Sequence, residues 1–482
     1  MRSCNRDYTA SSKLWRRIVA MSQGKRIPFF IGLAIIIAAS VMIVGHSHVR
    51  RAESAHARKD HAGASSSYAR AAQILFWRED LWEMAGISAA RGNDFQTALA
   101  YFSASPDLSE EGWLWLATSH FQLGDMPSAI RAAEEGARHF DSARLYRLLA
   151  FAHRNQQDWQ SERLALENQL RLESNDAYAH YRLGLLLTLS SPQLALDELT
   201  LASSLNPEVD SAVQTLRSAL ALSGVQSDES QKLLTIGRAL GLVQEWELSL
   251  AAFEGAVQAD PKNAEAWAWL GEAKQQTGQD GSVELDTALS LDQTSVNVRA
   301  LRALYWSRQG SHWQALEEYL VAAETEPENP AWQAGIGDAY VKLGDLIAAL
   351  TAYQRAVELA PDETRYWRLL AVFCAENSVY VEEIGLPAAQ QAVTLAPDDP
   401  FALDTLGYLY FSSGRYASAG ENLLRAIEIA PEHFSAHIHL AMNYLAQGDR
   451  AAAFNSLTYV RDADSSGIYR ETAMQLLGRY FP

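Results

Sequence analysis

The densest group of side chains able to do chemistry is the run HFSAHIHL, which contains His433, His437 and His439. Imidazole groups ligate metals and transfer protons near neutral pH. On a helix, His433 and His437 share one face while His439 points elsewhere, and no acidic residue stands at metal-ligand spacing. We therefore interpret the three as surface or groove histidines and predict no metal site.

A second histidine group comprises His46, His48, His56 and His61. Its spacing fits no closed zinc site, and no cysteine or carboxylate set completes one. The stretch 46–63 is interpreted as a solvated juxtamembrane linker, with a pH-sensing role as the alternative.

No other catalytic pattern is present in the sequence. We find no phosphate-binding glycine loop, GxSxG elbow, HExxH motif or paired-cysteine pattern. Cys4 and Cys374 are the only cysteines, which excludes a disulfide framework and a thiolate metal cage. The sequence therefore predicts a protein that is not an enzyme and needs no cofactor.

Charge is distributed unevenly along the 482 residues, whose formal net charge is −18. Residues 1–61 contain 11 basic and 3 acidic side chains, so the remainder holds 29 basic and 55 acidic ones. An acidic body of this kind disfavours nucleic-acid binding, because neutralising phosphates needs a basic surface.

The uncharged run from Ile27 to Val44 is 18 residues long. A membrane-spanning helix needs about 20 apolar residues, within a range of about 17–25. We interpret the run as a retained signal-anchor, with a cleaved signal peptide as the alternative. Seven basic residues precede it and four follow it closely, which predicts a cytoplasmic N-terminus and an extracytoplasmic body.

Between Pro400 and Pro431 the sequence indicates two short helices joined by a turn at Gly414. Gly407 and Ala419 are expected to let the two backbones approach closely. The apolar positions of the two helices are Leu403, Leu406 and Tyr410, then Leu423 and Ala426.

The same pattern recurs along the chain at about 34 residues. The small residues of the first helices run Gly86, Ala117, Ala150, Gly184, then Gly237, Gly271, Ala303, Gly337, Ala371, Gly407 and Ala441. This pattern resembles the tetratricopeptide repeat, or TPR, from about residue 64 to the C-terminus. The resemblance implies an all-α solenoid of helical hairpins, here preceded by a single transmembrane helix.

The register slips between Arg217 and Gly237, where a lone helix at about Val209–Leu222 lacks a partner. This joint is expected to show a bend or an altered helix contact. At the start, a lone helix at about Ser65–Leu75 is expected to cap the array, and Ile468–Tyr480 is expected to cap its end. The predicted segments are a basic tail 1–26, the anchor 27–45, the linker 46–63, TPR blocks 64–224 and 225–461, and a capping helix 462–482.

The resemblance further implies that first helices line a concave surface, onto which residues after the aromatic and glycine positions project. The candidate protein-binding residues are Phe121, Gln122, Arg147, Phe151, Arg154, Asn155 and Tyr181 in the first block, and Asp338, Asp404, Tyr408, Phe411 and Met442 in the second. Arginine can bind a carboxylate bidentately, and aromatic faces can anchor a peptide. The alternative is that these are ordinary helix-surface residues.

Some family members clamp a terminal carboxylate with Lys and Asn on adjacent first helices, but only Arg147 and Asn155 come near that pattern. The second block also presents Ala334, Ile438 and Leu445, so its groove is expected to be more apolar.

The function predicted is a membrane-anchored scaffold that binds protein or peptide partners without chemistry of its own. Two alternatives remain open. One is a self-assembling structural or assembly component of a cell-envelope complex, and the other is an accessory subunit of an envelope polysaccharide enzyme.

Overall fold

A computed structural model describes the backbone of residues 23–482 and the side chains from Phe30 onward. The described residues form 26 α-helices and contain no β-strand. The predicted basic tail lies largely outside this range. The chain divides between Val225 and Gln226 into two units, and the predicted bend or altered contact at this joint stays a prediction.

The N-terminal unit consists of eleven described helices. They are α1 (Gln23–Ala57), α2 (His61–Ile74), α3 (Asp80–Arg91), α4 (Phe95–Phe102), α5 (Glu110–Gln122), α6 (Met126–His139), α7 (Ala143–Asn155), α8 (Trp159–Leu172), α9 (Ala177–Leu187), α10 (Pro192–Leu205) and α11 (Asp210–Val225).

The second unit consists of fifteen helices. They are α12 (Glu229–Leu242), α13 (Trp246–Ala259), α14 (Ala264–Gln276), α15 (Ser282–Leu291), α16 (Val296–Arg308), α17 (His312–Thr325), α18 (Pro330–Leu343), α19 (Leu346–Leu359), α20 (Thr364–Asn377), α21 (Leu386–Leu395), α22 (Pro400–Ser412), α23 (Tyr416–Ile429), α24 (Phe434–Ala446), α25 (Arg450–Ala463) and α26 (Ile468–Tyr480).

The helical hairpin is the building unit in both halves, and α22–α23 shows how the sequence produces it. Gly414 has φ +73°, a left-handed conformation that favours glycine and reverses the chain. A Cβ on Gly407 would lie 2.6 Å from Cγ of Leu423, so the two backbones approach as closely as predicted. Ala419 and Ala426 are fully buried, which confirms the inward face predicted for the second helix.

Several second helices begin with the same aspartate cap. The side chains of Asp94, Asp125, Asp158, Asp345 and Asp449 each accept a hydrogen bond from the backbone N–H three residues later. Each bond satisfies one of the unpaired N–H groups at a helix start. The caps therefore fix where the second helix of a hairpin begins.

The linker predicted over residues 46–63 is instead largely helical. Helix α1 runs without interruption from Gln23 to Ala57, and Ala52 and Ala55 are buried. Both pack with Ala64 and Tyr68 of α2. The physical reason is that α2 has an apolar face that needs cover, and the alanines of α1 provide it. The helix expected to cap the array alone therefore has a partner.

Two departures from the regular repeat have local solutions. The unpaired helix predicted near Val209–Leu222 is α11, which buries Val213, Leu216 and Leu220 and packs against α10. The longest repeat step of the second unit, between Ala371 and Gly407, contains one π-helical turn at Val381–Gly385. At the end of the chain, α26 covers α25, with Ala473 fully buried.

Candidate functional site

The first helices α5, α7 and α9 form a groove in the N-terminal unit, with α8 beneath it. Its cavity of about 490 Å³ is called the N-terminal groove below. The lining residues are Leu114, Arg144, Arg147, Leu148, Ala150, Phe151, Arg154, Glu162, Leu166, Gln169, Tyr178 and Arg182. Three of the predicted binding residues, Arg147, Phe151 and Arg154, thus line one cavity.

Arginines form the rim of the N-terminal groove. The guanidinium of Arg147 donates to Glu173 at 2.7 Å and to Asp176 at 3.0 Å. Arg154 donates to the hydroxyl of Tyr178 at 2.6 Å. Arg144 is exposed on the same helix, and no acidic side chain in the described chain pairs with it. Arg147 and Arg154 therefore already have polar partners within the protein, and the unpaired positive charge of the rim is that of Arg144.

The floor of the N-terminal groove contains a buried ion pair. Arg182 donates two hydrogen bonds to Glu162, at 2.6 and 3.0 Å, and their side chains are 3% and 1% exposed. The amide of Gln169 donates to Asp176 at 2.8 Å, whereas its buried carbonyl oxygen accepts no hydrogen bond from the residues described. This oxygen is itself buried, so it is an unsatisfied acceptor inside the protein beneath the groove.

The aromatic side chains predicted for this groove meet across adjacent repeats. The rings of Phe121 and Phe151 lie 5.2 Å apart, and Phe151 is 47% exposed. Gln122 is exposed at the end of α5, while Tyr181 is half-buried on α9. Asn155 donates to the carbonyl of Phe151 on its own helix at 2.7 Å, so it is not arranged as a carboxylate clamp.

In the second unit, Asp404 lies at the centre of a polar cluster rather than on an open groove. It accepts hydrogen bonds from Ser435 at 2.8 Å, and its oxygens lie 3.2 Å from Nε2 of His433 and 2.7 Å from Nδ1 of His439. We call these four residues the Asp404 cluster. Burial alone would raise the pKa of Asp404, but the hydrogen bonds from His433, His439 and Ser435 outweigh it and hold the pKa well below its ordinary value.

The sequence interpretation of the three histidines needs correction here. His433 precedes α24 as its cap residue, so it does not share a helical face with His437. His437 instead lies 2.9 Å from the carbonyl of Pro431. The acidic partner missed in the sequence is Asp404, which the repeat period of about 34 residues places opposite α24. No group of three metal-ligating side chains suited to an ion was found among the described residues.

The first helices of the second unit present a less apolar surface than the sequence predicts. Ile438 is only 6% exposed and packs in the core formed with α25, so it does not face a groove. Asp404 is only 6% exposed as well. Tyr408 stacks on His439 with ring centroids 4.4 Å apart, and Phe411 lies 6.3 Å from Tyr408.

The two remaining predicted residues of this unit lie on first helices. Met442 is half-buried on α24, and Asp338 is exposed on α18. The hydroxyl of Tyr353 donates to Asp338 at 2.5 Å, so this carboxylate already has a partner in its own hairpin.

The repeat architecture is matched by known protein families. Residues 234–277, 308–372 and 402–433 match family models described as tetratricopeptide repeat. The chain contains tetratricopeptide repeats. The matched segments all lie in the second unit.

Curated relatives share part of this TPR chain. A peroxisomal targeting signal receptor from Kluyveromyces lactis is 25% identical over 216 residues, covering 37% of this chain and 38% of that protein. The Komagataella phaffii receptor is 26% identical and covers 42% and 30%. A small glutamine-rich tetratricopeptide repeat-containing protein 2 from Mycosarcoma maydis is 31% identical over 97 residues, which is 20% of this chain and 27% of that protein. The chain thus spans less than two fifths of the length of each.

Solved structures with similar helical arrangements include yeast Tom70, at 14% identity with a TM-score of 0.43, covering 90% of this chain and 95% of that one. A tetratricopeptide repeat protein from Parabacteroides merdae is 18% identical with a TM-score of 0.42, covering 52% and 98%.

Proposed function

We propose that this protein is a membrane-anchored TPR scaffold that binds peptide segments of partner proteins in its N-terminal groove. The observation that carries the proposal is a single cavity that is lined both by arginines and by Leu114, Leu148 and Leu166, with the exposed ring of Phe151 among them. Such a surface suits an acidic segment carrying one large apolar side chain, because arginine binds carboxylates and aromatic pockets supply anchors.

One further observation supports a binding role. The curated relatives include proteins named as receptors of a targeting signal. In this role the protein binds and positions its partners, and it performs no chemistry of its own.

The anchor in this proposal is the first half of α1. Among the described residues, α1 is the one helix long and apolar enough to cross a membrane, and its apolar stretch is 6% buried. A signal sequence passes the same test. Mass spectrometry of the mature N-terminus, together with carbonate extraction of membranes, separates the two: an intact N-terminus in the carbonate-resistant fraction supports the anchor.

The charge difference across the apolar run supports an N-terminus in the cytoplasm and a repeat region on the other side. Labelling of an introduced exposed cysteine in intact cells with an impermeant maleimide tests this orientation. Labelling only after permeabilisation contradicts it.

Binding in the N-terminal groove is tested with Arg147→Ala/Phe151→Ala. Partners are first identified by photo-crosslinking in intact membranes from residue 151, and the variant is then compared with wild type in pull-downs of those partners. Loss of two anchor residues is expected to weaken capture about tenfold or more, as for interface hot spots.

The matched control is Arg131→Ala/Leu194→Ala, an exposed pair outside the groove with Leu194 56% exposed. It should leave capture unchanged. Equal capture by wild type and both variants removes the N-terminal groove from consideration. Light scattering of the solubilised protein addresses self-assembly, since a strict monomer excludes stacking between copies.

A further inference from the structure

The turn that follows α2 presents two adjacent aromatic side chains to solvent. Phe76 is 77% exposed and Trp77 is 48% exposed, and their rings meet edge to face at 5.1 Å. We call these two residues the aromatic turn. Single exposed apolar residues are ordinary on protein surfaces, but two neighbouring aromatic rings that form a pair in solvent need an explanation.

The path of the chain brings the aromatic turn back to the apolar part of α1. A three-residue connection, 58–60, reverses the chain so that α2 returns along α1. The 14 residues of α2 rise by about 21 Å, close to the distance of about 18 Å from Ala57 back to Gly45, at about 1.5 Å per residue.

A direct contact between Leu75 and Gly45 shows which part of α1 lies beside the end of α2. A Cβ on Gly45 would lie 2.4 Å from Cγ of Leu75, so the leucine side chain rests on the glycine backbone. Phe76 follows Leu75 in sequence. The aromatic turn therefore lies beside the point where the apolar run of α1 ends, at Val44.

The surface around this point has the composition of a membrane boundary. Ile43 and Val44 are 71% and 48% exposed, so α1 presents apolar surface at the same level as the aromatic turn. Arg50 and Arg51 are exposed about two helical turns after Val44, in the direction that leads out of the membrane. Aromatic side chains at the interface with basic residues outside it are typical of membrane-spanning segments.

We propose that Phe76 and Trp77 form a second membrane contact, in which both rings insert at the headgroup level of the bilayer that α1 spans. This inference rests on the membrane anchor proposed above. Arg78, which follows Trp77, pairs with Asp80 at 2.6 Å. Together these two side chains add no net charge at the membrane surface.

The consequence is a fixed placement of the first hairpin. Ala52 and Ala55 pack against α2, so α1 leaves the membrane as part of the repeat structure and not through a flexible tether. With the aromatic turn as a second attachment beside α1, the first hairpin is held at a defined tilt on the bilayer surface.

The proposal is tested on the full chain reconstituted in vesicles of phosphatidylcholine and phosphatidylglycerol. Cys4→Ser removes one native thiol, and the other, Cys374, is buried. An environment-sensitive NBD dye is attached at Phe76→Cys and, in a second protein, at Trp77→Cys. The control is Ile347→Cys, where the native side chain is 78% exposed in the second unit.

We expect the dye at 76 and at 77 to emit at shorter wavelength than the dye at 347. Quenching by lipids that carry a nitroxide near the headgroup is expected to be several-fold stronger at 76 and 77. These side chains are exposed, so their replacement leaves the helical core intact, and flotation of the labelled chains with the vesicles verifies insertion.

The outcomes separate this inference from the anchor itself. Chains that float and resist carbonate, but whose dyes at 76 and 77 stay unquenched in water, overturn the aromatic contact and leave the anchor standing. Chains that do not float overturn both. A dye that is shielded from water but not quenched by lipid shows that protein covers the aromatic turn, which also overturns the proposal.

Discussion

The carboxylate of Asp404 lies 2.7 Å from Nδ1 of His439 across the first helices of two consecutive repeats. His433 and Ser435 approach the same carboxylate, whose residue is only 6% exposed. The Asp404 cluster therefore joins two hairpins through polar contacts where most of the repeat interface is apolar.

Replacing Asp404 with Ala is expected to destabilise the contact between α22 and α24 by about 1–3 kcal/mol, because the polar groups that bond to this buried carboxylate lose their acceptor. Hydrogen exchange is the appropriate measurement, since repeat arrays open locally. Faster exchange should appear in α22 and α24 and not in α12. Equal exchange rates in α22 and α24 for wild type and variant would show that Asp404 does not join the two hairpins.

The pH dependence of the same site has a defined sign. The hydrogen bonds hold the pKa of Asp404 below its unfolded value of about 3.9. The ionised carboxylate of Asp404 therefore contributes its full stabilisation of the folded protein at pH values above about 3.9. This contribution is lost as the pH falls through the lower pKa of the folded state. The difference in exchange rate between wild type and Asp404→Asn should shrink below about pH 4, and a constant difference from pH 7 to pH 3 would refute the assignment.

A second prediction concerns the buried ion pair in the floor of the N-terminal groove. Glu162→Gln removes the carboxylate that accepts two hydrogen bonds from Arg182, whose side chain is only 3% exposed, and breaking this buried ion pair should cost about 3–5 kcal/mol in the free energy of unfolding. Urea denaturation followed by circular dichroism measures it.

The matched control lies on the same helix, α8. Glu167 pairs with Arg163 at 3.3 Å, and both side chains are more than 40% exposed. Glu167→Gln should change the free energy of unfolding by less than about 1 kcal/mol. Similar losses for the two variants would show that burial does not govern the effect of the Glu162–Arg182 pair.

The sequence predicted the hairpins well because their determinants are local. Gly414 ends a helix through its own φ, and Gly407 recurs at the repeat period, so both could be interpreted without a structure. The continuation of α1 was missed because the stretch after Val44 is polar and rich in histidine and arginine. Its two buried alanines have a role only when α2 is placed beside them.

The candidate sites show the same division. Arg147, Phe151 and Arg154 share one helical face, and the structure places all three on one cavity. Asp404 was assigned to an open groove because only its own helix was considered. Its burial depends on His433 and His439 of the next repeat, which a single-helix rule does not include.

A third prediction tests the close approach within α22–α23. Gly407→Ala places a Cβ 2.6 Å from Cγ of Leu423 and should cost about 1–3 kcal/mol through overpacking. Gly478→Ala is the control, since its added Cβ meets nothing within 4 Å on helix α26. That substitution should stabilise by about 0.5–1 kcal/mol, because alanine has the higher helix propensity. Thermal unfolding should move in opposite directions for the two variants.

A last prediction concerns Asp464, which holds the start of α26 in place. Its carboxylate accepts hydrogen bonds from the hydroxyl of Ser466 and from the backbone N–H groups of Ser466, Gly467, Tyr469 and Arg470. The bond from the Ser466 hydroxyl, with those from the backbone, lowers the pKa of Asp464 to about 2.

Because this pKa is depressed, the stabilisation is present above the ordinary value of about 3.9 and disappears as pH falls through about 2. Asp464→Ala should therefore speed hydrogen exchange in α26 at pH 7 without affecting α22. Asp462→Ala is the control, since Asp462 is paired with Arg461 beside it and accepts none of the backbone hydrogen bonds that Asp464 accepts. Equal increases in the exchange rate of α26 for both substitutions would show that the backbone hydrogen bonds to Asp464 do not hold this helix. The packing of α26 on α25 would then depend on Ala473 and its apolar neighbours alone.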